Sequence, residues 1–187
     1  MTMGQLQDVT ITRADSRIEG TMRDGVLHGP ARVEADHVPV AEMRYAHGVL
    51  HGPATMLYPD GSPSAQLNYV DGKLDGRAVY YLEDGTVQRE AHYAGGLLHG
   101  DCKTWLPDGT LIEHATYRQG KLQGLFQRFH PNRQLAERQY FDAGKPLESA
   151  ERYATDGRPL DVDGKPMSRW QLWWRKVHGT PPPAPTS

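Results

Sequence analysis

Nine histidines are the residues of this chain whose type most directly suggests chemistry. Imidazole nitrogens bind transition metals and move protons near neutral pH. His28, His51 and His99 each sit in a Leu-His-Gly context. Asp75 and Gln123 hold the same place in two further copies of that context. A zinc site needs ligands that converge on one ion with bonds of about 2.0–2.1 Å. Copies of one position on successive hairpins stand roughly 10 Å apart, so this row does not converge and no metal is expected. Carboxylate pairs such as Glu83-Asp84 lie in turn-like contexts and read as solvated. Cys102 is the single cysteine. It can form no intrachain disulfide, and an apolar strand position makes a thiol inert. No Gly-x-Ser-x-Gly elbow, phosphate-binding glycine loop or His-Glu-x-x-His is present. The expectation is a protein without catalytic residues and without cofactor.

The elements that carry these residues are set by a repeat. Gly48, Gly72, Gly96, Gly120 and Gly144 are 24 residues apart, and Gly25 lies 23 before the first of them. A second series, Gly29, Gly52, Gly76, Gly100 and Gly124, follows four residues behind. Gly61, Gly85, Gly109 and Gly157 form a third, with Arg133 in the gap. Tyr45, Tyr69, Tyr93 and Tyr117 keep the same period, as do Leu27, Leu50, Leu74, Leu98 and Leu122. A fixed period in this range means a repeat architecture. Each unit holds two turn signals, one typified by Asp84-Gly85 and one by Asp71-Gly72. Such pairs favour two-residue hairpins, in which both turn positions take φ > 0. The predicted fold is all-β: an elongated, single-layer antiparallel meander of about six hairpin repeats, with a short C-terminal helix.

A two-residue turn at Asp60-Gly61 places Met56 opposite Ala65, Ala54 opposite Leu67 and Gly52 opposite Tyr69. Tyr69 then faces Leu74 across the next turn. Each repeated Tyr is expected between a Gly and a Leu, with its ring filling the space over the glycine. The same register puts the Tyr and Leu rows, Ala54, Ala78, Cys102, Val87 and Leu111 on one packed face. The other face is polar but carries a row of its own: Leu57, Tyr81, Trp105 and Phe129. Apolar side chains ringed by polar ones suit a recognition surface.

The ends depart from the pattern. The expected divisions are a capping strand region at 1–20, the array at 21–165, a Trp-rich helix at 166–179 and a disordered Pro-rich tail at 180–187. Met22 takes the Tyr position of the first unit. Tyr140 falls one residue short of its place, and a bulge is expected to restore the phase at Gly144. Ser168 is a plausible N-cap. Trp170, Trp173, Trp174 and Val177 then share one helical face, expected to close over the packed face of the sheet.

Composition narrows the class. Net charge is −2, so no basic excess points to nucleic acid. Hydrophobic residues are 37% and mean hydropathy is −0.67, thin for a deep core but suited to an array burying one face per unit. No signal peptide or membrane span is expected, and the single cysteine fits a reducing compartment, which together suggest the cytoplasm.

The segment from Asp71 to Gly100, with Gly-x-Leu-His-Gly, Tyr80-Tyr81, Asp-Gly and a second strand ending in Tyr, resembles the bacterial variant of the MORN repeat. This form occurs in proteins classed as YwqK-family antitoxins. The resemblance covers about residues 20–160. It implies a curved sheet used as a binding platform, and an immunity or antitoxin protein that neutralises a cognate toxin by contact, including toxins of type VI secretion. The alternative it implies is a membrane-associated scaffold, with the basic Trp helix as the anchor. The residues expected to bind a partner are Tyr81, Trp105, Phe129, Leu57, Trp170, Trp173 and Trp174.

Overall fold

A computed structural model describes residues 5–178 of the chain. The array opens with β1 (Gln7–Arg13), β2 (Ser16–Arg23), β3 (Val26–Ala35) and β4 (Val38–Ala46). It continues through β5 (Val49–Leu50), β6 (Gly52–Leu57), β7 (Pro63–Val70), β8 (Lys73–Leu74) and β9 (Gly76–Tyr81). Then follow β10 (Val87–Ala94), β11 (Leu97–Trp105), β12 (Leu111–Arg118), β13 (Lys121–Phe129) and β14 (Leu135–Asp142). The short β15 (Lys145–Pro146) and β16 (Glu151–Arg152) both pair with β14, and α1 (Arg169–His178) closes the described chain. All sixteen strands form one antiparallel sheet in meander order. The single-layer meander with one short helix is therefore the observed architecture.

The two turn families are different devices. At Asp71-Gly72 both residues have positive φ (48° and 78°), and Val70 pairs directly with Lys73. These are the expected two-residue turns. They also tie units together, because the Gly72 N–H donates to the Leu50 carbonyl of the preceding unit at 2.8 Å. The same bond recurs from Gly48 to Leu27, Gly96 to Leu74, Gly120 to Leu98 and Gly144 to Leu122.

The Asp-Gly loops are not two-residue turns. At the first of them only Gly61 has positive φ, and Tyr58 pairs with Ser62, so the loop is Pro59-Asp60-Gly61. Asp60 instead accepts the Ser62 N–H through its side chain at 2.9 Å, a local bond that short acids favour in turns. The extra loop residue shifts the pairing by one, putting Leu57 opposite Pro63. A bulge at Ser64 then restores it, so that Met56 meets Ala65 and Gly52 meets Tyr69. The expected register of the strand body is correct because two one-residue offsets cancel. Near the loops it is not. Val87 and Leu111, expected on the Tyr face, stand directly opposite Tyr81 and Trp105 and join their row.

Each repeated Tyr does lie between a Gly and a Leu: Tyr69 pairs Gly52 and Leu74, and Tyr93 pairs Gly76 and Leu98. The reason is not the one expected. A Cβ built on Gly52 would meet Arg44, not the Tyr69 ring. Gly52 is required by its φ of +101°, where the strand slips by two residues between the Tyr45–Leu50 and Glu42–Thr55 pairs. In the last unit Phe141, opposite Gly124, occupies the Tyr position. No extra residue follows Tyr140; the phase is intact and the residue type has changed.

Burial follows from the single layer. On the Tyr face of the sheet the side chains shielded from solvent are small: Ala54, Ala65, Ala78, Ala91, Ala115 and Cys102 form rows beneath larger neighbours. Tyr, Leu and Met of the same face are half-buried. Lateral packing between strands therefore replaces a two-layer core.

Candidate functional site: an apolar stripe on the polar face

The face opposite the Tyr row is built from Gln66, Val79, Glu90, Lys103, His114, Gln127 and Arg138, which meet in cross-strand sequence, with Arg77 two residues before Val79 on the same face. Ion pairs brace it. Arg77 donates twice to Glu90, at 2.7 and 3.1 Å, and these bonds hold the Glu90 carboxyl below its usual range. Asp101 is pulled in two directions: its partial burial raises its pKa, but the His114 ring 3.3 Å away and a hydrogen bond from Thr116 outweigh this and lower it.

Against this polar ground the four expected residues line up, each with a partner directly across the hairpin. Leu57 pairs Pro63, Tyr81 pairs Val87, Trp105 pairs Leu111 and Phe129 pairs Leu135. The row is thus a double stripe running across the strands beside the three-residue loops. All four are half-buried. Tyr81 keeps its polar end occupied by donating to Gln66 Oε1 at 2.8 Å. Tyr58 from the preceding unit donates to the Tyr81 carbonyl at 2.7 Å, which fixes the strand end that carries it. On the other face, that of the Tyr row, a hollow of about 310 Å³ lies behind Phe129, lined by Thr104, Glu113 and Arg128 together with Leu106 and Ile112. The sequence reading missed the partners Val87, Leu111 and Leu135, because their side depends on the bulge beside each loop.

The helix is placed differently from expectation. Ser168 does cap it: its Oγ accepts the Gln171 N–H at 3.3 Å while Gln171 Oε1 accepts the Ser168 N–H at 2.8 Å. But the inward residues are Gln171, which is buried, and Arg175, whose guanidinium donates to Glu151 at 3.0 Å. Glu151 pairs Arg138 and so lies on the side of the aromatic stripe, not of the Tyr row. The helix is no lid on the Tyr face. Trp170 and Trp173 remain 50% and 56% exposed, while Trp174 is half-buried with its ring 5.7 Å from that of Trp170. Three indoles therefore form one cluster at the C-terminal end of the stripe's face. A polar mismatch explains the rotation: Arg175 follows the charge of Glu151, which also accepts from Arg138 and from Tyr153 at 2.7 Å. The side chain of Val177, the last residue of the expected helix at 179 and the tail at 180–187 lie outside the described residues.

Among the described residues, no three His, Cys, Asp or Glu side chains gather as metal ligands. Among the same described residues, no helix is long and apolar enough to cross a membrane. The repeat geometry meets known families at three segments. The MORN repeat variant matches residues 74–94 and 98–119, and the MORN repeat matches residues 44–62. The chain carries MORN repeats. No curated protein matches it. The matched MORN repeats contain Leu57, Tyr81 and Trp105, while Phe129 and the Trp helix lie beyond them.

Proposed function

We propose that this MORN-repeat chain works by binding another protein and blocking it, as an immunity or antitoxin protein would. The observation that carries the reading is the double apolar stripe Leu57–Phe129 on an otherwise charged, ion-paired face. Side chains held by cross-strand partners lose little further freedom on docking, and aromatic anchors within polar surroundings are the usual sites of strong contact. Trp170, Trp173 and Trp174 extend the surface. The finer reading is a cytoplasmic protein that occludes a cognate toxin, such as one delivered by type VI secretion, and acts on it without catalysis or cofactor. Its test is co-expression with the product of the adjacent gene. A stable complex and restored growth support it; neither complex nor rescue sinks it.

A second reading rests on the helix. Two exposed indoles beside Arg169 and Lys176 suit the interface of an anionic bilayer. Flotation with phosphatidylserine vesicles separates the two, using the full chain and a Trp170→Ala, Trp173→Ala variant. Absence of flotation removes the membrane reading.

A further inference from the structure

The two ends of the sheet are finished differently. At the C-terminal end β14 is covered by β15 and β16, by the bridged segment Tyr153–Pro159 and Leu160–Pro166, and by the helix held at Glu151. At the other end β1 is the outermost strand, and among the described residues nothing pairs with its outer side. Six of its seven residues are exposed, and it contains no proline or lysine, the residues that usually blunt such an edge.

Which groups face outward follows from the hairpin. The two residues at 14–15 separate Arg13 from Ser16, so that pair exchanges main-chain hydrogen bonds. Alternation then points the N–H and C=O of Gln7, Val9, Ile11 and Arg13 toward β2. Those of Asp8, Thr10 and Thr12 point outward.

We propose that β1 pairs with β1 of a second copy of this chain, antiparallel, about a two-fold axis at Thr10. The sequence QDVTITR is self-complementary in that register. Thr10 meets Thr10, Asp8 meets Thr12, Val9 meets Ile11 and Gln7 meets Arg13. The outward groups then form about six main-chain hydrogen bonds. No like charges oppose each other in that register. On the Tyr face the apolar rows become continuous. Within one copy Ile11 pairs Ile18, which pairs Val33. Within the other, Val9 pairs Gly20, which pairs Ala31. The Ile11–Val9 contact joins the two series and covers Ile11, now 41% exposed. On the opposite face an open groove of about 720 Å³ begins at Asp8 and Thr10 and runs inward past Arg32 and Arg44. Pairing sets the two grooves end to end across the axis. A closed two-fold contact of this kind uses the edge once and stops growth.

Sedimentation equilibrium of the full chain tests the proposal. The mass should rise with concentration from 20.9 kDa to twice that value and no further. Thr10→Pro removes an outward donor while sparing the bonds to β2, so it should yield a monomer with an unchanged circular dichroism spectrum. Thr12→Asp places two carboxylates opposite each other and should weaken association about tenfold or more, whereas Thr12→Lys should not weaken it. Thr10→Cys should form an interchain disulfide under oxidation, since residues paired this way have Cα atoms about 5.5 Å apart. A chain that stays monomeric at high concentration, with its edge open to a strand of some other protein, overturns the proposal. A dimer that survives both Thr10→Pro and Thr12→Asp overturns it equally.

Discussion

Arg175 of the helix donates to Glu151 of the sheet at 3.0 Å, and Glu151 simultaneously accepts from Arg138 of β14. One carboxylate thus sets the side of the sheet on which the Trp cluster stands. The bond from Arg138 holds the Glu151 carboxyl below its usual range, so it is charged at neutral pH. Glu151→Ala should release the helix. Partly exposed pairs of this kind contribute up to about 1 kcal/mol, so the array should keep its melting temperature nearly unchanged. Hydrogen exchange should rise selectively over residues 169–178. Unchanged protection there would mean that Met167 and Gln171 hold the helix without the ion pair.

The slip in each strand after the Leu-His-Gly context depends on a positive φ. Gly52→Ala forces φ of +101° on a residue with a Cβ and should destabilise the chain by roughly 1–2 kcal/mol. A urea titration measures it. Tyr69→Leu should not offset the loss, because no ring atom of Tyr69 comes close to the missing Cβ. If the double variant recovers, the glycine is there for packing after all.

Alkali should act through the Tyr face. Burial, then a hydrogen bond with Tyr93, pushes Tyr80 up to about 12. The folded chain thus favours neutral Tyr80 over the unfolded chain, where the phenol titrates near 10. The stability from this preference is whole below about pH 10 and lost as pH rises toward 12. Urea midpoints should fall between pH 9.5 and 11.5 (rough bounds from the same linkage), and fall less in Tyr80→Phe.

Acid should act through the loops. Asp84 is lowered chiefly by the N–H of Thr86, Asp108 by that of Thr110, and Asp60 by the side chain of Ser62. A depressed carboxyl stabilises the fold above its unfolded pKa and ceases to as pH falls through its folded value. The loops should therefore loosen together in acid, below the ordinary carboxylate range. Proteolysis in the Asp-Gly loops against pH checks this. Asp84→Asn keeps an acceptor for Thr86 and should hold that one loop closed at low pH.

Much of this was legible in the sequence because the repeat is written in glycine. The positive φ of Gly72 and of Gly52 cannot be supplied cheaply by other residues, so their period survives as a pattern. The register of Gly52 with Tyr69 was legible too, though through a turn of the wrong length. What was hidden is local: the three-residue loop at Asp60 is set by a side-chain bond to Ser62, and the matching bulges beside the Asp84 and Asp108 loops moved Val87 and Leu111 to the other face. The helix was misplaced for a different reason. Its apolar face was clear in Trp170 and Trp173, but its docking was decided by Glu151, a charge contributed from β16.

The claim that the stripe is the binding surface is tested most directly by affinity for the protein encoded beside this chain, measured by calorimetry. Trp105→Ala and Tyr81→Ala should each weaken binding by about 2 kcal/mol or more, with melting temperature nearly kept. Tyr117→Phe, on the opposite face, should leave it unchanged. Full affinity in a Tyr81→Ala, Trp105→Ala, Phe129→Ala variant that remains folded would contradict the account.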